Sequence, residues 1–339
     1  MASVAQRLFS LEGREAPALH LIGLVGSLLG ASLSVAGVAG GGPILFIVGV
    51  TLLTLGLTSL AGASALQRHV DTPQTGWRGP GPVLIFFVTL GWAAVAGALI
   101  GLVLNLVDPA AAIDASLLTL LFALATSVTS TAAIALLVVG TGAARWRDLF
   151  AFSSSAGASE GALPTAQRRG GRIADIAWGL VLLVPSVVTA IVASGILTNF
   201  TGVSPNAPLP PVNIEPGGPA SLAFEVRLAL NLVTAVIVAP LGEELLYRGV
   251  IARAWGRQSG ARRAIVFSTL IFAFAHTIGV GGDTAGEALT AAGIALLVRI
   301  PLGLATGWLW VRRRSLLAPI VLHASYNLLV VLIANVATN

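Results

Sequence analysis

The stretch Val83–Val107, VLIFFVTLGWAAVAGALIGLVLNLV, contains 25 residues in a row without a charged side chain. An α-helix needs about 20 such residues to cross the hydrocarbon core of a bilayer, so this stretch predicts a membrane-spanning helix. The whole chain has the same character, because 56% of its 339 residues are hydrophobic and only 10% are charged. Soluble proteins are about 25% charged. Since cysteine is also absent, the composition excludes a soluble enzyme, a disordered chain and a disulfide-stapled secreted domain.

Further apolar runs accompany this one, and together they predict an all-α, polytopic membrane bundle of about nine transmembrane helices. The predicted spans are Pro17–Ala39, Ile44–Leu66, Val83–Val107, Leu117–Val139, Ile176–Leu197, Leu228–Tyr247, Ala264–Val280, Ala288–Val311 and Leu316–Val336.

The arginines predict the orientation of this bundle. All 19 basic residues are arginines, and all but Arg227 and Arg299 lie at the N-terminus or in alternate loops. Arginine-rich loops face the cytoplasm, so we expect a cytoplasmic N-terminus and an outer C-terminus. This placement favours a multi-pass protein of the plasma (inner) membrane. We expect its partner to be the lipid bilayer, and we expect it not to bind nucleic acid. The richness in Ala, Gly and Arg favours a bacterial source.

Residues 151–172 divide the chain into two regions. This stretch is rich in Ser, Gly and Ala and closes on arginines, which is typical of a cytoplasmic linker. It separates an N-terminal four-helix membrane region, residues 1–150, from a core at residues 173–339. The sequence assigns no role to the first region. We expect its first helix to stay uncleaved, and we expect Thr201–Ala220 to form an outer loop.

Ionisable and amide side chains inside the predicted spans are concentrated in the second region. Such residues are unfavourable in a bilayer and are functional candidates for that reason. At about 1.5 Å per helical residue, Glu243, His276, His323 and Asn327 lie roughly 14–20 Å from the arginines that mark their helix ends. Three helices therefore bring a carboxylate, two imidazoles and an amide to one layer. Arg299 is a further charge within a span, expected to neutralise a carboxylate such as Glu244 or to line a wet cavity.

The residues around Glu243 predict that its carboxylate is free to act. Pro240 cannot donate to the helical ladder and Gly242 adds flexibility, so we expect a loosened turn before Glu243. Glu244 and Arg248 are four residues apart and are expected to form an ion pair. One carboxylate is then paired and the other is available.

These residue types fit peptide hydrolysis. A desolvated glutamate beside an imidazole can act as a general base on water. His323 and Asn327 share a helix face and can donate to a developing oxyanion. Alternatively, Glu243, His276 and His323 could ligate a metal, since a carboxylate with imidazoles suits zinc.

Three motifs carry a resemblance to a known family. Glu243–Gly249, EELLYRG, resembles the EExxxR motif of the CPBP family, the CAAX proteases and bacteriocin-processing enzymes. Phe272–His276, FAFAH, is similar to its FxxxH motif, and His323–Asn327, HASYN, is similar to its HxxxN motif. The resemblance covers residues 228–329.

The resemblance implies an intramembrane endopeptidase that cleaves a membrane-associated protein, prenylated or not. It implies that Glu243 is the catalytic base, acting with His276, and that His323 and Asn327 form the oxyanion side. Family members are described both as metalloproteases and as glutamate proteases without metal, and both mechanisms stay open here.

The remaining charged residues receive supporting roles. Glu244 and Arg248 are expected to be structural or substrate-orienting by the same resemblance. Arg299 lies outside the three motifs and is placed in the same class. A function of another class is the alternative: a proton-coupled transporter with the glutamate and histidines as its relay, or a non-proteolytic immunity or secretion scaffold.

Overall fold

The computed structural model describes residues 14–107, 115–150, 171–203 and 222–336, and the regular structure within these ranges is helical. The predicted linker, apart from its last two residues, and most of the predicted outer loop lie outside the described residues. The helices are α1 (Pro17–Ala36), α2 (Gly42–Asp71), α3 (Pro82–Val107), α4 (Ala115–Ile134), α5 (Trp146–Phe150), α6 (Arg172–Thr201), α7 (Phe224–Leu232), α8 (Ala239–Glu244), α9 (Arg253–Ser259), α10 (Ala261–Ala275), α11 (Ala285–Arg313) and α12 (Leu317–Val336).

Four π-helical segments continue or join these helices: Gly37–Gly41, Ala135–Val139, Val233–Val238 and Leu245–Ala252. The last two lie on either side of α8, so that residues 224–259 form one unbroken helical stretch. A π turn holds one more residue than an α turn and is often found at functional sites. Val233–Val238 ends two residues before Pro240, which agrees with the loosened turn that the proline predicts.

The predicted all-helical membrane fold is confirmed. In the described part of the chain, six helical stretches are long and apolar enough to cross a membrane. The first of them, Pro17–Asp71, contains the first two predicted spans. Because α10 has only 15 residues, it falls short of the length of about 20 that a bilayer requires. The count of nine spans and the orientation of the N-terminus stay predictions.

The chain divides into two compact units, and the first contains residues 14–104 and 129–145 of the described chain. Within it, α1 and α2 form an antiparallel hairpin in which glycines bring the two backbones into contact. A Cβ at Gly30 would meet the backbone of Leu53, and a Cβ at Gly49 would meet the backbone of Ser34. Close packing of small residues is how helices associate in lipid.

The second unit contains residues 105–107, 115–128, 146–150, 171–203 and 222–336 of the described chain. Its boundary differs from the one predicted at residue 150, because residues 115–128 of α4 group with the second unit. Two buried residues join the ends of α6 and α11: Arg313 Nε donates to Asp175 Oδ1 at 2.8 Å. The sequence placed Arg313 only as one of the arginines of a loop.

Helices α10 and α11 pack antiparallel in the second unit, and their register fixes what lies near the site. A Cβ at Gly307 would lie 3.2 Å from Cγ2 of Ile265. One turn earlier on α11, a Cβ at Gly303 would lie 2.7 Å from Cγ2 of Thr269 and 3.3 Å from Cδ1 of Phe272. Glycine at these positions therefore permits the close approach of the two helices.

The predicted span Ala264–Val280 extends beyond the C-terminal end of the helix, because α10 ends at Ala275. The chain then turns, with the His276 N–H bonded to the Ala273 carbonyl and Gly279 at a φ of 84°. A positive φ favours glycine and breaks the helix. His276 therefore lies at a helix end, where its side chain can face across α8 and α12.

Candidate active site

Two imidazoles converge on the carboxylate of Glu243. Its Oε2 lies 3.8 Å from Nε2 of His276 and 3.8 Å from Nε2 of His323. The three residues come from α8, the end of α10, and α12, as the depth argument predicted. Glu243 is 28% exposed at its side chain, His276 21% and His323 only 3%, so Glu243 and His276 are partly exposed whereas His323 is buried.

Glu244 is buried behind this cluster and pairs with Arg248. The Nη1 atom of Arg248 lies 3.3 Å from Oε1 of Glu244, and its Nε lies 3.3 Å from Oε2. Both side chains have no exposed area. The predicted i,i+4 ion pair is therefore present, although the intervening turn is π-helical.

The Glu244–Arg248 pair extends to two neighbouring helices. Nδ1 of His323 lies 2.9 Å from Oε1 of Glu244. On the other side, Nη2 of Arg248 donates to the Gly303 carbonyl at 3.0 Å and to the Thr306 hydroxyl. A buried charge pair is stable only when its remaining polar atoms find partners. These bonds therefore link α8, α11 and α12.

Phe272 contacts several members of the site at once. Its ring centroid lies 4.6 Å from that of His276, 5.6 Å from that of His323 and 5.3 Å from that of Tyr247. The guanidinium carbon of Arg248 lies 4.9 Å from the same centroid. Phe272 has no exposed area. The FxxxH motif includes it, but sequence reasoning gave it no role.

The hydrogen bonds define which imidazole nitrogens carry protons. Nδ1 of His276 lies 2.8 Å from the Phe272 carbonyl, which can only accept, so this nitrogen is the donor. Nδ1 of His323 is likewise the donor to the ion-paired carboxylate of Glu244. In the neutral rings both Nε2 atoms then present lone pairs toward Glu243 Oε2, an acceptor without a hydrogen-bond partner in the described structure. Three acceptors thus share one space, which suits a donor such as water.

Asn327 makes a backbone contact that the sequence did not predict. Its Nδ2 donates to the carbonyl of Ala235 at 2.8 Å, in the π-helical segment before α8. This bond fixes the side chain and leaves the second N–H of the amide available. Asn327 therefore joins α12 to the stretch that carries Glu243.

Of the two expectations for Arg299, a carboxylate partner or a wet cavity, the first has no ion pair to support it among the described residues. No ion pair joins Arg299 to Glu243 or Glu244 in the described structure, because Arg248 and His323 occupy Glu244. Arg299 is half-buried in the middle of α11.

The arrangement of the side chains does not fit the metal alternative. Among the described residues, no group of three or more His, Cys, Asp and Glu side chains is arranged to hold a metal ion. Glu243, His276 and His323, the predicted ligands, do not meet this requirement as they stand. We therefore derive no step that involves a metal.

The fold and the site together define a multi-pass membrane protein in which a glutamate and two histidines from three helical segments converge. Residues 225–329 match the family model described as type II CAAX prenyl endopeptidase Rce1-like. The resemblance predicted from the three motifs is thereby confirmed for this segment, which contains all the site residues. No curated protein and no solved structure matches the chain.

Proposed function

We propose that the protein is an intramembrane endopeptidase of the CAAX-protease type, in which Glu243 activates a water molecule. The observation that carries the proposal is the approach of Glu243 Oε2 to both Nε2 atoms, at 3.8 Å each. A separation of this size is too long for a direct hydrogen bond but suits one bridging water. The match of residues 225–329 to a peptidase family supports the same chemistry.

In the proposed reaction, Glu243 takes a proton from water as the oxygen attacks the carbonyl carbon of the scissile peptide bond. The partly exposed His276 accepts this proton from Glu243 and delivers it to the leaving nitrogen, so that the C–N bond breaks with release of an amine. The water oxygen and its second hydrogen stay with the new carboxyl group. His276 is oriented for this transfer by its bond to the Phe272 carbonyl.

The oxyanion of the tetrahedral intermediate would be stabilised from the α12 side. His323 is suited to this role when its ring carries a second proton, because Nδ1 then donates to the buried carboxylate of Glu244, 2.9 Å away, and Nε2 can donate to the oxyanion. The second N–H of Asn327 would add a donor. Preorganised donors of this kind each account for about 10²–10³-fold in rate in other hydrolases.

The substrate we propose is a protein held at the membrane, prenylated or not, with its cleavage site within reach of the bilayer. Many apolar side chains of the described chain are exposed, among them Ile173 at 84% and Phe200 at 90%, as expected of surfaces that contact lipid. A lipid-anchored substrate could reach the site laterally without leaving the membrane. The plasma membrane of a bacterium is the location we propose.

The test is cleavage of a quenched fluorescent prenyl-peptide by purified protein in vesicles. We expect Glu243→Gln and His276→Ala to lower the rate at least about 10³-fold, the scale of losing a general base, with unchanged melting temperature. Glu287→Gln is the matched control, because that glutamate lies at the exposed start of α11. Equal cleavage by wild type and Glu243→Gln contradicts the proposal.

Two further arms of this experiment address the alternatives. Activity that is lost with a zinc chelator and restored by zinc would contradict the proposed metal-free reaction. Proton-coupled uptake by the same vesicles, without cleavage, would favour the transporter.

A further inference from the structure

Pro240 lies three residues before Glu243 in the same helix, and the proposed reaction does not use it. A proline has no backbone N–H, so one carbonyl of the preceding turn loses its donor. In a regular α-helix this would be the carbonyl of Val236, four residues back. Which carbonyl is freed therefore depends on the hydrogen-bond pattern that leads to the proline.

The π-helical segment Val233–Val238 shifts this pattern by one residue. Its hydrogen bonds run over five residues, and the N–H of Ala239 donates to the carbonyl of Thr234. The next carbonyl in this pattern, that of Ala235, would need the N–H of residue 240, which is the proline. The carbonyl without a backbone donor is therefore that of Ala235, a buried residue.

Asn327 of α12 supplies the missing donor. Its Nδ2 donates to the Ala235 carbonyl at 2.8 Å. A buried carbonyl that lacks a partner is unfavourable, so the freed carbonyl and the carboxamide stabilise each other. Because the two residues are 92 positions apart in the chain, their bond fixes α12 against the stretch that leads to Glu243.

A second contact of α12 connects this bond to the candidate active site. His323 lies one helical turn before Asn327 on the same face of α12, and its Nδ1 lies 2.9 Å from Oε1 of Glu244. Two contacts on one face fix the rotation of α12 about its axis. Loss of the Asn327 contact would therefore allow His323 to turn relative to Glu243, whose Oε2 lies 3.8 Å from the Nε2 of that ring.

We propose that Pro240 is a positioning residue of the peptidase, because it leaves the carbonyl of Ala235 free to accept from Asn327. The bond in turn aligns α12 with Glu243. The effect on the reaction rate rests on the proposed function. The π-helical turn is needed for the same reason, since a regular α turn would free the carbonyl of Val236, about 100° further around the helix.

The first test restores the missing N–H. Pro240→Ala and Pro240→Val each supply a backbone donor that competes with Asn327 for the Ala235 carbonyl, and valine also fills most of the buried volume of the proline. We expect kcat to fall by about 10- to 100-fold, the scale of a displacement of about 1 Å at a catalytic group, while KM changes little. Pro185→Ala is the matched control and should keep the wild-type kcat, because Pro185 is an exposed proline inside α6.

A double variant separates positioning from a general contribution to folding. In an Asn327→Ala background the bond is already absent, so Pro240→Ala should lower kcat no further. A proline that only shapes its own helix would cause the same fold-change in both backgrounds, and that result would overturn the inference. Wild-type kcat in both Pro240→Ala and Pro240→Val would overturn it as well.

A second measurement does not depend on cleavage. In protein labelled with ¹⁵N-asparagine, the carboxamide signal of Asn327 is identified by its loss in Asn327→Asp. We expect one carboxamide hydrogen to exchange slowly with solvent in wild type and about three- to tenfold faster in Pro240→Ala, the equilibrium value of one hydrogen bond. Fast exchange of both hydrogens in wild type, or equal rates in the two proteins, would refute the inference. If the rates differ as expected but wild type cleaves no peptide, the proposed function fails while the positioning bond stands.

Discussion

Glu244 holds His323 by its Nδ1, at 2.9 Å, while the opposite nitrogen of the same ring faces Glu243 at 3.8 Å. The two consecutive glutamates therefore act on the two sides of one imidazole. One is buried and orients the ring, and the other has a partly exposed side chain. This arrangement gives the adjacent carboxylates different tasks.

Replacing Glu244 should impair both stability and activity. In Glu244→Gln the guanidinium of Arg248 keeps its burial but loses its counter-charge, which typically destabilises a protein by about 3–5 kcal/mol. The measurement is thermal unfolding in detergent together with the cleavage rate. The double variant Glu244→Gln with Arg248→Met should regain part of the stability, because it removes the unpaired charge, but it should not regain activity. Additive losses of stability in the double variant would contradict this coupling.

Phe272 should control the rate more than substrate binding. Phe272→Leu removes the ring that contacts both imidazoles, and a displacement of about 1 Å at a catalytic group can lower the rate about 100-fold. We therefore expect kcat to fall by about that factor while KM changes little. Phe274→Leu is the matched control on the same helix, since Phe274 is 45% exposed. A fall in KM alone, or equal effects of both variants, would refute the role of Phe272.

In the hairpin of α1 and α2, a side chain in place of a glycine at the helix contact should be destabilising. Gly30→Ala places a methyl group against the backbone of Leu53, and such overpacking costs about 1–3 kcal/mol. The expected result is a lower melting temperature. Gly101→Ala, where a Cβ would meet nothing within 4 Å, should leave the melting temperature unchanged or raise it, because alanine favours the helix. Equal behaviour of the two variants would show that the contact is unimportant.

The Asp175–Arg313 ion pair should stabilise the second unit. Asp175→Asn leaves the nearly buried guanidinium of Arg313 without its carboxylate, and we expect a loss of about 3–5 kcal/mol. Chemical unfolding of this variant, compared with Arg313→Met and the double variant, measures the coupling between the two residues. If the double variant is no more stable than Asp175→Asn, the two side chains are not coupled as the 2.8 Å distance implies.

Much of the candidate site could be predicted from local sequence patterns. The spacing of Glu244 and Arg248 predicted their ion pair, because residues four apart are neighbours on a helix. The depths of Glu243, His276 and His323, counted from flanking arginines, predicted that three helices meet at these residues. Both arguments need only the rise and period of a helix, which vary little between proteins.

Relationships across long stretches of chain could not be predicted in this way. Asp175 and Arg313 are separated by 138 residues, and no periodicity links them. The end of α10 was misplaced because hydrophobicity continues through Ile278 and Val280 although the backbone turns at Gly279. Arg299 forms no ion pair with Glu244 because Arg248 and His323 bind that carboxylate. Only the packed structure shows these contacts.

Phe272 holds the two imidazoles by different means: its carbonyl accepts from His276 and its ring packs on His323. Both imidazoles therefore contact a single residue in the last turn of a short helix, although Glu244 also holds His323. A tilt of α10 would move His276 relative to Glu243 and would withdraw the ring that packs on His323. A compound that binds beside α10 and tilts it would therefore inhibit the proposed enzyme without occupying the site of the substrate.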